Sequence, residues 1–215
     1  MRGARGWHLL TAAVTLTALV LQVVLVLQGG RVLDEADPPG LGLRLARLVA
    51  YFTIQSNVLV AVATSLLALD PGRDGPAFRA LRLAGTVGIT VTGLVHFVLL
   101  RPLLDLTGAD RLADKLLHVA VPLLAVAGWL AFGPRPRTDG RAVAVAFAWP
   151  VAWLALTLAV AGATRWVPYP FLDFRAEGWA HVAVVCLGIT ALFAALIAGF
   201  RYADRRLPAR PAPGG

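Results

Sequence analysis

The chain has little of what a soluble or cofactor-dependent protein uses. Of its 215 residues only 15% are charged, one is cysteine and four are histidine. The single cysteine, Cys186, excludes an internal disulfide, and its place in an apolar run reads as a small packing residue. No His-x-x-x-His pair, glycine-rich phosphate loop or flavin or nicotinamide fingerprint occurs, so no metal and no cofactor is expected. No segment is long enough for a separate soluble domain, and no internal repeat signals an inverted-repeat transporter.

What the chain does have is hydrophobicity, 58% of its residues, gathered into charge-free runs at 6–30, 48–69, 83–100, 116–134, 142–164 and 178–200. At about 1.5 Å rise per residue each run can cross a hydrocarbon layer of about 30 Å, the shorter ones only just. The expected fold is all-α, an integral membrane bundle of six transmembrane helices over about 7–28, 48–69, 83–101, 116–133, 142–163 and 178–201. They form one domain, 1–206, followed by a proline-rich tail, 207–215, expected to be disordered. The first run follows Arg2 and Arg5 like a signal peptide, but it is too long and lacks a clear cleavage site, so it is expected to remain as helix one.

A net charge of +8 would suggest nucleic acid in a soluble protein, yet its distribution follows topology instead. With the N-terminus inside, the inner segments hold twelve basic and four acidic residues, and the outer loops hold eight of each. This positive-inside pattern predicts both termini cytoplasmic, no nucleic-acid partner and an inner face that attracts anionic lipid headgroups. The outer loop Asp34–Gly40 reads as a solvated acidic turn. Aromatics near helix ends, among them Tyr51, Phe52, Phe97, Trp129, Tyr169, Trp179 and Tyr202, read mostly as interfacial anchors, and Gly85, Gly88, Thr92 and Gly93 as a surface for close helix packing.

Thr53, Gln55, Ser56 and Asn57 stand out in the second run, because polar groups in hydrocarbon must find partners inside the protein. Thr53 lies six residues, roughly 9 Å, below the outer boundary at Arg47. His96, His118 and His181 reach a similar depth on other helices, as a single shallow pocket would require. Thr53, Ser56 and Asn57 share a face at i, i+3 and i+4, while Gln55 points elsewhere. Asp114 precedes His118 by four residues and can orient its ring, and Pro122, four residues after His118, predicts a local kink. Such parts suit acyl transfer, with Thr53 as nucleophile, His118 as base and then acid, Asp114 as orienter, and Ser56 or Asn57 donating to an oxyanion. They equally suit interhelical glue, and His181 beside Trp179 reads as an interfacial residue.

Three motifs add to this reading: Tyr51-Phe52-Thr53-Ile54-Gln55-Ser56-Asn57, Asp114-Lys115-Leu116-Leu117-His118-Val119-Ala120-Val121-Pro122 and Trp166-Val167-Pro168-Tyr169-Pro170-Phe171-Leu172-Asp173. In that order they resemble elements of the androgen-induced protein family, which includes the androgen-dependent TFPI-regulating proteins. The resemblance implies a bacterial six-helix relative in the plasma membrane. It also implies an intramembrane threonine hydrolase that cleaves lipid esters such as fatty acid esters of hydroxy fatty acids. Thr53 and His118 match the family's catalytic positions, and Tyr169 to Asp173 match its Tyr-Pro-Phe-Leu-acidic segment; Gln55-Ser56-Asn57 departs from the animal members. The expected site is therefore Thr53 and His118, supported by Asp114, Ser56, Asn57, His96, Tyr169 and Asp173, with membrane lipids or a lipid-derived ester as partner. The alternative is a non-catalytic membrane protein that binds or carries a lipid, ion or proton through the same polar groups.

Overall fold

The computed structural model describes residues 2–29 and 39–208. Most of the acidic turn at 34–40 and the tail beyond Pro208 lie outside the described residues. The elements run α1 (Arg2–Leu27), α2 (Leu41–Ala50), α3 (Phe52–Leu69), α4 (Pro76–Val95), α5 (Gly108–Lys115), α6 (Val121–Phe132), α7 (Gly140–Thr164) and α8 (Trp179–Arg206). A π-helical turn, His96–Leu100, and a 3-10 turn extend α4 to Leu103, and a second π-turn, Leu116–Ala120, joins α5 to α6. The described residues thus make six helices long and apolar enough to cross a membrane: 2–27, 52–69, 76–103, 108–132, 140–164 and 179–206.

Five boundaries differ from the sequence expectation by four residues or more, and one of them is the end of the sixth helix, which runs on from 201 to Arg206. The second span starts at Phe52, not 48, because Tyr51 is extended (φ −65°, ψ 129°) and turns the short α2 away from α3. The freed carbonyls at the end of α2 are taken by side chains: Trp153 Nε1 donates to the Ala50 carbonyl at 2.8 Å, and Gln55 Nε2 to that of Val49 at 3.1 Å. Gln55 also accepts from Trp149 Nε1 at 3.1 Å, so it ties α2, α3 and α7 together. The first span begins at Arg2, the third at Pro76 and the fourth at Gly108, because charges near helix ends stay inside the helices where they find partners. Arg5 donates to the carbonyls of Ala68 and Leu69, and Arg82, only 7% exposed, donates to those of Gly133 and Pro134.

Small residues set how closely the helices approach. A side chain at Gly88 would reach within 2.7 Å of the Trp149 ring, and one at Gly85 within 3.2 Å of Leu59. Gly93 lies against the His118 carbonyl and Pro122, where an added Cβ would stand 3.1 and 3.3 Å away. The break expected at Pro122 takes the form of the π-turn before it: proline offers no N–H to the His118 carbonyl, and α4 fills the space there with a glycine. Anchoring does not describe Tyr51, Phe52, Trp129 or Tyr169, which are buried. Phe52 stacks on Trp149 with centroids 4.4 Å apart, and Tyr51 meets Tyr169 edge-on at 5.5 Å. Phe97, Trp179 and Tyr202 are exposed.

Candidate functional site

One end of the bundle gathers the start of α3, the two π-turns and the loop between α7 and α8. A helix start leaves backbone N–H groups without intrahelical acceptors. Here the Tyr169 hydroxyl oxygen accepts from Thr53 N at 3.2 Å. The same hydroxyl lies 3.2 Å from Thr53 Oγ1. Tyr169 is held in this position by a buried loop, with Pro168 and Leu172 fully enclosed and Phe171 stacked on its ring at 5.3 Å. Burial pushes the phenol above its ordinary range, which keeps it protonated and able to donate.

Thr53 Oγ1 is 3.3 Å from His118 Nε2. On the far side of that ring, His118 Nδ1 lies 3.0 Å from Asp114 Oδ1 and 3.0 Å from the Asp114 backbone carbonyl. Both are acceptors, so Nδ1 carries the proton and Nε2 is left to accept from the threonine hydroxyl. The hydrogen bonds then run in one direction, from Tyr169 to Thr53, from Thr53 to His118 and from His118 to Asp114. The other Asp114 oxygen lies 3.4 Å from His96 Nε2, and the two imidazoles stack with centroids 3.9 Å apart and planes 13° apart. His96 is 4% exposed, and its Nδ1 has no hydrogen-bond partner among the described residues. Each histidine sits in one of the π-turns, a distortion that often re-aims side chains at working sites.

His96, Asp114 and His118 offer donor atoms within 4.8 Å of one another, close enough to consider a metal ion. Stacking opposes it, because parallel rings aim their in-plane lone pairs side by side and not at one point. A metal would need one ring to turn out of the stack; as oriented, the carboxylate bridges two imidazole N–H groups.

Two expected roles change. Ser56 Oγ donates to its own helix at the Phe52 carbonyl (2.8 Å) and accepts from Thr92 Oγ1 (3.3 Å). Asn57 Nδ2 donates to the Thr53 carbonyl at 2.8 Å and to Leu117 in the π-turn at 3.4 Å. Both brace α3 beneath Thr53, and neither aims a donor at its hydroxyl; Tyr169 does. Asp173 is not brought to the site, since its Oδ1 accepts from the N–H groups of Arg175 and Ala176 in its own turn. His181 is exposed and also apart from it.

Thr53 stands where two clefts meet. One opens to the outside and is apolar, with Val91, Phe147, Leu154, Ile189 and Phe193 among its walls. The other is the more polar of the two, with Gln22, His96, Asp110, Asp114 and His118 in its wall beside Leu100, Leu104, Leu106 and Leu117. Thr53, Leu100 and Tyr169 line both. The sequence reading missed Gln22 and Asp110. Gln22 is a lone amide in an apolar helix, a signal of the same kind as Asn57, and Asp110 precedes Asp114 by four residues on one helical face.

Fold and site together define an all-helical bundle, apolar enough to span a membrane, with a buried hydroxyl–imidazole–carboxylate chain at one end. No protein-family model, curated protein or solved structure matches the chain.

Proposed function

We propose that the protein is an intramembrane threonine hydrolase acting on lipid esters, with both termini cytoplasmic and the site in the outer leaflet. The observation that carries this reading is the Thr53 hydroxyl, 3.3 Å from the free nitrogen of an oriented histidine and level with an apolar cleft. Substrate enters from the lipid phase with its acyl chain in the apolar cleft and its alcohol portion in the polar one.

In the first step His118 Nε2 takes the Thr53 proton as Oγ1 bonds to the ester carbonyl carbon. The carbonyl oxygen becomes an oxyanion beside the Tyr169 hydroxyl and the N-terminal end of α3, whose dipole favours negative charge. Collapse breaks the carbon–oxygen bond to the alcohol, which leaves with the proton held by His118. Water, deprotonated by the same nitrogen, then releases the fatty acid and restores Thr53. Asp114 holds the ring in the required tautomer and offsets the charge of the imidazolium. The resemblance of the Thr53, His118 and Tyr169 segments to motifs of the androgen-induced protein family supports the same chemistry.

Purified protein is expected to hydrolyse a long-chain ester and to be labelled at Thr53 by a fluorophosphonate. Equal labelling and turnover in Thr53→Ala rule the mechanism out. A second reading, binding or transfer of a proton or ion without catalysis, is favoured by one observation, the carboxylate shared between two imidazoles. It predicts no ester turnover in any variant and equal loss of ligand binding in His96→Ala and Thr53→Ala.

A further inference from the structure

The polar cleft restricts which esters fit, and this restriction rests on the hydrolase reading above. We infer that the alcohol portion of the substrate is an uncharged, hydroxyl-bearing group of the glycerol kind, and not one that carries a carboxylate or phosphate.

Thr53 lines both clefts, so an ester held at its hydroxyl extends its two arms into different surroundings. The acyl arm belongs in the apolar cleft, which leaves the alcohol arm to the polar one. That cleft presents the carboxylates of Asp110 and Asp114 and the amide of Gln22, and no lysine or arginine among the described residues lines it. Carboxylates only accept hydrogen bonds, and the amide can both accept and donate. Such walls suit hydroxyl groups and repel an anion. The imidazoles do not reverse this, because both are turned to Asp114. Three of the basic residues at the same end lie against other groups: Arg47 over the Trp166 ring, Arg101 over Phe97, and Arg175 on the carbonyls of Ala161 and Gly162. The chain therefore parts at this cleft from esters of hydroxy fatty acids, whose alcohol portion ends in a carboxylate.

The test compares two esters with one acyl chain, 1-palmitoylglycerol and the palmitoyl ester of 3-hydroxypropanoate, on purified protein in neutral detergent. The glycerol ester is expected to be favoured at least tenfold in kcat/KM. Asp110→Asn, a substitution at a partly exposed position in the first turn of α5, is expected to cut that preference to about threefold. Equal or reversed preference in the wild type overturns the inference, and so does a preference that Asp110→Asn leaves unchanged. A binding arm separates this result from the hydrolase reading, using 1-O-hexadecylglycerol and 3-hexadecyloxypropanoate, ethers that cannot be cleaved. If neither ester is turned over but the glycerol ether binds in preference, the hydrolase reading falls and the cleft assignment stands. If the carboxylate ether binds as well as the glycerol ether, or neither binds, the cleft assignment falls.

Discussion

The two ends of the bundle both bury polar groups, and they use them differently. At the end away from Thr53, beside the ion pairs that Arg79 makes with Asp74 and Asp139, several arginines bond to backbone. Arg82 reaches the carbonyls of Gly133 and Pro134, Arg135 those of Trp129 and Leu130, and Arg137 those of Gly72 and Arg73. Asp204 in turn accepts from the N–H groups of Arg137 and Thr138, at 2.7 Å each. These contacts occupy carbonyls that loops and helix ends leave open, and they lock the connections between spans. At the other end, side chains bond to side chains across four segments, the less common kind of hydrogen bond in proteins. Buried Asn57 Oδ1 and His96 Nδ1 have no hydrogen-bond partner there among the described residues, as Arg201 Nε has none at the opposite end. The first arrangement ties side chains to loops and helix ends, and the second joins the side chains of distant segments to one another. Between the ends, Thr11, Thr15, Thr64, Thr86 and Thr90 each donate to the carbonyl four residues earlier, so their hydroxyl protons are spent within their own helices.

If the contrast holds, substitutions at the two ends separate activity from stability. The largest effect is expected from His118→Ala, which removes the base. Turnover should fall by about 10³-fold or more, with a thermal melt close to that of the wild type. A variant that keeps a tenth of its activity would break the comparison. Arg82→Met at the opposite end leaves two buried carbonyls without donors and should cost about 2–3 kcal/mol in unfolding measured in detergent. The folded fraction should keep its ester turnover within about twofold; a large loss of turnover would mean that the two ends are coupled.

Asp114→Asn is expected to fall between these and full activity. His118 Nδ1 keeps the backbone carbonyl at 3.0 Å, so the ring retains one of its two anchors. A loss of about 10- to 100-fold in kcat, with little change in KM, marks a positioning residue. The smallest effect is expected at the salt bridge between Asp74 and Arg79, 2.7 Å apart. The hydrogen bond from Arg79 holds the Asp74 carboxyl down from its ordinary 3.8 to about 2. Its contribution is therefore complete above pH 3.8 and is lost as the pH falls toward 2. Because the pair is solvent-screened, Asp74→Asn should cost only a few tenths of a kcal/mol at neutral pH. The difference between wild type and variant should disappear in melts at the acidic end of that window.

Much of this organisation was legible in the chain, and the reasons are local. Six apolar runs appear directly in the hydropathy, since crossing hydrocarbon is a property of each helix by itself. Helical spacing shows that Thr53, Ser56 and Asn57 share a face, but the count of residues from Arg47 to Thr53 crosses the break at Tyr51 and so sets no depth for Thr53. Span ends were less legible, because an arginine such as Arg82 reads as a boundary until its carbonyl partners are known. The short α2 was hidden because nothing in its composition marks Tyr51 as the residue that breaks the helix.

The sequence by itself determined the class of fold, the six helices long and apolar enough to cross a membrane and the short set of polar residues from which a site could be built, because length, hydropathy and polar outliers are properties of each segment by itself. Tertiary structure alone decided which of them meet. The Tyr169 hydroxyl reaches Thr53 across 116 positions of chain, Asp114 is shared between histidines on two separate π-turns, and Asn57 and Ser56 turn back onto their own helix. Those outcomes depend on helix rotation, on glycines that permit close approach and on how one loop folds inward. They are set by packing between distant segments, which local spacing does not encode.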